Sequence, residues 1–188
     1  MNRLARLFGM VAIALALGGV PAQADAQELK RKQLVQTQSQ RSDAAYAALN
    51  AGDYTTAFSL ALPLAQEGFA DGQTLTGYLY EYGLGTTQSY EQAMRWYRQA
   101  AQQGSDYAEH RLGAMFDYGL GVLEDDVEAA YWYELAAAKG NLDAQDSLGF
   151  LYETGSGVPQ DYGAALKWYR RAADAGHALA QADLGKLY

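Results

Sequence analysis

Three groups of residues in the middle of the chain could in principle do chemistry. Gly119-Leu120-Gly121 resembles a phosphate-binding turn, Asp125 and Asp126 could bind a metal ion, and Trp132-Tyr133 could stack on a sugar or a base. A phosphate loop needs a Lys-Ser or Lys-Thr pair after its glycines, and a calcium loop needs oxygen ligands at fixed alternate positions. Neither pattern follows, so these residues predict neither a catalytic centre nor a metal site.

The histidines add no catalytic pattern. The chain has two, His110 and His177, and no cysteine. Neither histidine has a second ligand at metal-binding spacing or a nucleophile beside it, as zinc sites and covalent catalysis require. We therefore expect no metal, no cofactor and no catalytic residue, and we expect both histidines to lie on the surface.

The same residue types recur at a constant spacing, which explains them better than a site does. Trp96, Trp132 and Trp168 are 36 residues apart, and each is followed by a tyrosine. Other positions keep the same period: the glycines Gly77, Gly113, Gly149 and Gly185, and the aromatic residues Tyr80, Phe116, Tyr152 and Tyr188. A fixed period of this length indicates a repeat protein in which each unit packs on its neighbours.

Each repeat is expected to form two helices. Residues 108–118 and 126–139 carry apolar residues at spacings of three and four, with Trp132 and Tyr133 on the buried stripe. Gly119 is expected to take the left-handed conformation that ends the first helix. Side-chain oxygens are expected to cap the second helices at four positions: Asp53, Ser89, Asp125 and Asp161.

The repeat pattern resembles the Sel1-like repeat family, which is related to tetratricopeptide repeats. The matching positions of one unit are Ala108, Leu112-Gly113, Phe116, Gly119, Gly121, Asp125, Ala129, Trp132-Tyr133, Ala136-Ala137 and Gly140. The resemblance implies an all-α fold, a right-handed α-solenoid of antiparallel helix hairpins with a 36-residue period. It also implies a role in binding other proteins.

The domain organisation follows from this register and from the composition of the N-terminus. We predict a signal peptide over 1–24, a polar lead segment over 25–41, an N-terminal capping hairpin over 42–71, repeats over 72–107, 108–143 and 144–179, and a terminal half repeat over 180–188.

The N-terminus is typical of an export signal. Arg3 and Arg6 precede an apolar run over 7–20, and small residues follow, which predicts cleavage after Ala24 or Ala26. With no lipoprotein cysteine, we expect a periplasmic or secreted protein without stable membrane insertion. The formal charge is −8, and cleavage after Ala24 removes the two arginines and makes it −10 (−8 − 2), which disfavours binding to nucleic acid.

The side of the first helices opposite the predicted core differs between repeats, so it is the candidate partner groove. Its residues are Thr74, Tyr78, Glu81, His110, Ala114, Asp117, Asp146, Phe150 and Glu153. We expect an unidentified protein or peptide to bind there, because solenoids of the class that the chain resembles bind partners along their first helices. A solvated face without a partner is the alternative for the same residues.

Two further possibilities remain open at the level of sequence. One is a cell-envelope enzyme, or a carbohydrate- or peptidoglycan-binding protein, that uses groove acids such as Glu81 and Glu153. The other is self-association through the C-terminal end, because the sequence stops at the apolar pair Leu187-Tyr188, half-way through a repeat.

Overall fold

The computed structural model describes residues 21–186, with side chains from residue 27 onward. This part of the chain contains helices and no strands. The helices are α1 (Pro21–Asn50), α2 (Tyr54–Gln66), α3 (Ala70–Tyr82), α4 (Tyr90–Gln102), α5 (Asp106–Asp117), α6 (Asp126–Lys139), α7 (Leu142–Thr154), α8 (Tyr162–Asp174) and α9 (Ala178–Lys186). The all-α fold class is therefore confirmed.

The chain forms two compact units, and the boundary between them falls within α1, between Arg41 and Ser42. In the first unit the polar lead segment is helical, and Leu29, Leu34 and Val35 are exposed on it. Residues 1–20 of the predicted signal peptide, and Leu187-Tyr188 at the C-terminus, lie outside the described residues.

The second unit is the solenoid. Within each hairpin the two helices pack against each other, as in α3–α4, α5–α6 and α7–α8. Successive hairpins are joined by contacts between α4 and α5, α6 and α7, and α8 and α9. The largest core cluster runs through α4, α5, α6 and α7 and is built mostly from alanine, leucine and tyrosine. Because alanine lets helices approach closely, a few large side chains such as Tyr97, Tyr133 and Leu112 fill the space between them.

The predicted caps of the second helices are confirmed. Asp125 Oδ1 accepts hydrogen bonds from the backbone N–H groups of Val127 and Glu128, both at 3.1 Å, and Asp53, Ser89 and Asp161 cap their own helices in the same way. Gly119 has a φ of 63°. The first helix of the middle repeat begins at Asp106, two residues before the predicted start, because Ser105 caps it by accepting from the N–H of Ala108.

The predicted core role of the Trp-Tyr pairs is confirmed for the tyrosines and in part for the tryptophans, since Trp132 and Trp168 pack against the core without being fully buried. Tyr97, Tyr133 and Tyr169 are at most 1% exposed, whereas the tryptophan before each of them is only half-buried. Neighbouring residues on a helix point about 100° apart, so only one of each pair can face the partner helix fully.

Each buried tyrosine ring lies directly on a glycine of the first helix in the same repeat. A Cβ atom on Gly113 would lie 2.5 Å from the Tyr133 ring, and a Cβ on Gly77 or Gly149 would lie 2.8 Å from Tyr97 or Tyr169. No side chain larger than hydrogen fits at these positions while the ring stays in place. The glycine therefore sets the close spacing of the two helices of a repeat.

We predict that Gly113→Ala destabilises the protein by about 1–3 kcal/mol, because the added methyl must displace the Tyr133 ring. Gly185→Ala is the matched control, since Gly185 holds the same repeat position in α9 and a methyl group added there would have no neighbouring atom within 4 Å. Alanine there should leave stability unchanged or raise it slightly. Urea unfolding measures both variants, and equal effects would contradict the ring-on-glycine explanation.

Candidate partner-binding face

The nine residues predicted to form the partner groove differ in exposure. Phe150 is 54% exposed and Tyr78 is half-buried, and four polar members are half-buried as well: His110, Asp117, Asp146 and Glu153. The remaining three, Thr74, Glu81 and Ala114, are buried. The expected exposure is wrong for these three, because the neighbouring helices cover them. Below, the first-helix face means the surface of α3, α5 and α7 that carries the other six.

Glu81 is buried because it joins two repeats. Its Oε2 accepts a hydrogen bond from the hydroxyl of Tyr97 at 2.8 Å and another from Nε of Arg111 at 3.1 Å. Arg111 Nη2 also donates to Oε1, which completes a bidentate pair, and its guanidinium lies 5.9 Å from the Tyr82 ring centre. Such a pair satisfies the carboxylate inside the protein and makes Glu81 a structural residue.

The equivalent acids in the next repeats hold the equivalent tyrosines. Tyr133 donates to Asp117 Oδ2 at 3.1 Å, and Tyr169 donates to Glu153 Oε2 at 2.8 Å. Burial raises the pKa of Asp117 above its ordinary value, and the Tyr133 hydrogen bond opposes that shift. The periodic acids therefore serve first as acceptors for buried hydroxyls, which need a partner when removed from water.

His110 is half-buried on this face, so it is less exposed than predicted. Its ring is 5.7 Å from the Tyr133 ring, and burial, followed by the charge of Arg111, lowers the pKa of His110 to about 4. The imidazole is consequently neutral at physiological pH.

His177 is also partly covered, contrary to the sequence expectation. Its Nδ1 accepts from the N–H of Ala180 at 3.2 Å, and its Nε2 lies 2.9 Å from Asp143 Oδ1. The ring therefore caps α9, in the position that Ser105 and Asn141 occupy in the preceding repeats.

A pocket of about 400 Å³ opens on the same face, and sequence reasoning missed it. It combines Tyr46 of α1 and Asp71, Thr74 and Tyr78 of α3 with residues at the start of α5, including Tyr107. Tyr46 belongs to the capping hairpin, which does not follow the repeat register. The one signal in the sequence was Tyr107, which stands where the neighbouring repeats have Asp71 and Asp143.

Within residues 21–186 no group of three or more potential ligands is placed to hold a metal ion. In the same part of the chain, no helix is both long and apolar enough to cross a bilayer.

The sequence match to a known family agrees with this architecture. The model of the Sel1 repeat matches residues 70–105, 106–141 and 142–177, three consecutive units that together cover more than half of the chain. The protein therefore belongs to the Sel1 repeat family. Sel1-repeat proteins generally act as protein–protein interaction scaffolds and are typically non-catalytic modules.

Solved structures show the same fold. A protective antigen of uropathogenic Escherichia coli with an SLR fold and a Sel1 repeat protein from Oxalobacter formigenes are each 34% identical over 71% of this chain, with a TM-score of 0.68. Helicobacter pylori cysteine rich protein B is 20% identical over 70% of this chain and 95% of its own, with a TM-score of 0.56. A search of curated proteins gave no match.

The first two of these structures are longer than the region they share with this protein. The chain spans 29% of the E. coli antigen and 53% of the O. formigenes protein. Any function that depends on the rest of those proteins is therefore not carried over to this chain.

We predict that Arg111→Met lowers the free energy of unfolding by about 3 kcal/mol, because it leaves the buried Glu81 carboxylate without its cation. The double variant Glu81→Gln/Arg111→Met should recover most of this loss, since a neutral amide can still accept from Tyr97. Denaturant unfolding of the single and double variants provides the test. A double variant as unstable as the single one would show that the ion pair is not the cause.

We also predict that His110 makes the protein less stable in acid. An unfolded histidine titrates near about 6.5, whereas the folded pKa is about 4. Between these values the unfolded chain binds more protons, so the free energy of unfolding falls as the pH is lowered, by at most about 1.4 kcal/mol per pH unit.

His110→Phe should remove this component, because phenylalanine keeps a ring against Tyr133 and does not titrate. The free energy of unfolding is measured for wild type and variant from pH 7 to pH 4, and the difference between the two proteins is compared across that range. The contributions of the carboxylates largely cancel in this difference, because both proteins contain them. A difference that does not change with pH would contradict the assignment.

Proposed function

We propose that the protein is an exported interaction scaffold, without chemistry of its own, that binds a segment of another protein along its first-helix face. The observation that carries this proposal is the kind of group left exposed there. Phe150 and Tyr107 are 54% and 37% exposed, and Tyr82, whose ring lies 4.7 Å from that of Tyr78, is 48% exposed. Glu81, in contrast, is buried in internal contacts, and Asp117 and Glu153 accept from buried tyrosines. Exposed aromatic anchors are typical of protein-binding surfaces.

The internal contacts of the acids also bear on whether the protein could be an enzyme. A general acid or nucleophile must reach its substrate. Glu81 is 2% exposed and is held by Arg111 and Tyr97, so it cannot reach a substrate in this conformation. Nothing in the described residues favours a catalytic or carbohydrate-binding role over the scaffold.

The proposed site of action is the periplasm or the exterior of the cell. Support comes from the sequence alone: two arginines, an apolar run and small residues at the expected cleavage position. Self-association through the C-terminal end remains a second prediction, and Leu179, which is 65% exposed on α9, lies close in sequence to that end.

The test compares two exposed aromatic residues on different helices of adjacent repeats. Phe150→Ser alters the first-helix face, and Tyr131→Ser alters α6, a second helix, at a residue of nearly equal exposure, 53% against 54%. We expect the Phe150 variant to lose most of the protein captured by wild type from an envelope extract and the Tyr131 variant to retain it. Both should unfold near the wild-type midpoint.

The reverse pattern, with Tyr131→Ser losing the captured protein, would place binding on the second helices and would falsify the assignment of the face. Identical capture by wild type and both variants would show that Phe150 is not an anchor.

A further inference from the structure

We propose that the pocket on the first-helix face takes a cationic side chain, lysine or arginine, from the bound protein segment. This inference rests on the proposed function and specifies the chemistry of the partner. This pocket, the tyrosine pocket, is lined by the rings of Tyr46, Tyr78 and Tyr107 and by the polar groups of Asp71, Thr74 and Ser105.

The polar lining carries negative charge and no positive charge. Every polar side chain that lines the tyrosine pocket ends in oxygen, and Asp71 supplies a carboxylate that is exposed to the solvent. The charge of Arg111 acts on Tyr107, but Arg111 forms a bidentate pair with Glu81, which offsets its charge. The net charge of the lining is that of Asp71, which complements a cation and repels an anion.

Tyr46 and Tyr107 stay neutral and add aromatic rings to the pocket without phenolate charge. Burial, and then the nearby charge of Asp71, raises the pKa of Tyr46 to about 12. Burial also raises the pKa of Tyr107. Neutral aromatic rings attract ammonium and guanidinium groups through their electron-rich faces.

Two hydroxyls of the lining, Thr74 on α3 and Ser105 at the start of α5, have acceptor positions that their own hydrogen bonds do not use. Thr74 Oγ1 and Ser105 Oγ lie 3.0 Å apart and share one hydrogen bond, and Ser105 Oγ also accepts from the N–H of Ala108 at 3.2 Å. A hydroxyl has one hydrogen and two lone pairs. These two bonds use two of the four lone pairs, so two remain that can accept from an ammonium or guanidinium N–H.

The rest of the lining suits the stem of such a side chain. Leu49 and Leu75 provide aliphatic contacts for methylene groups. Lysine and arginine bury their stems against apolar surface while the charged end remains near polar groups. The volume of about 400 Å³ falls in the range of small-ligand pockets, roughly 300–1,000 Å³, so a whole side chain can enter.

The experiment titrates the full chain, labelled with ¹⁵N, with four blocked amino acids: the N-acetyl methylamides of lysine, arginine, norleucine and glutamate. Norleucine has the apolar stem of lysine without its charge. We expect lysine and arginine to shift amide signals of residues 71–78 and 105–107, norleucine to bind more weakly, and glutamate to cause no shift.

Asp71→Asn should weaken lysine binding by about threefold, the scale of a solvent-exposed ion pair. Glu91→Gln is the matched control, because it makes the same charge change in the first turn of α4, outside the pocket. It should leave lysine binding unchanged.

Each contrary result has a distinct meaning. Equal binding of lysine and norleucine, or equal effects of the two variants, overturns the cation preference and leaves an apolar pocket on the face. No shift with any compound overturns the pocket as a binding site. The capture comparison of Phe150→Ser with Tyr131→Ser judges the scaffold separately, so failure of the inference and failure of the proposed function can be told apart.

Discussion

The structure depends on one contact that recurs in every full repeat, the buried tyrosine ring lying on a glycine. Tyr133 can occupy the space between its two helices only because Gly113 has no side chain, and its hydroxyl then needs an acceptor in the interior. Asp117 provides that acceptor four residues after the glycine. Glycine, tyrosine and acid therefore form one packing unit, which sets the spacing of the helices and the orientation of the first helix.

This packing unit decides the character of the first-helix face. Since Glu81 is paired with Arg111, and Asp117 and Glu153 accept from buried tyrosines, these acids are held in contacts within the protein, while aromatic side chains on the face are exposed. His110, neutral and packed against Tyr133, adds to the aromatic surface. These groups are the basis of the proposal that the face binds a segment of another protein.

The departures from the repeat are concentrated at the junction of the capping hairpin with the first two repeats. Arg111 stands where the next repeat has Ser147, and it joins α3 to α5 through Glu81. Tyr107 stands where the other repeats have aspartates, and Tyr46 comes from outside the register. Because a regular solenoid presents the same surface in each unit, irregular residues are what make one part of it different from the rest.

The sequence by itself determined the repeat, the two helices per unit and their ends, because these follow from local rules: a 36-residue period, apolar residues at helical spacing, and caps such as Asp125 and Gly119. Only the tertiary structure decided that Tyr133, and not Trp132, is fully buried and that Glu81 is internal. It also decided that Tyr46 and Tyr107 line the same pocket. Those outcomes depend on how closely neighbouring helices approach and at what angle, and residues far apart in the chain set both.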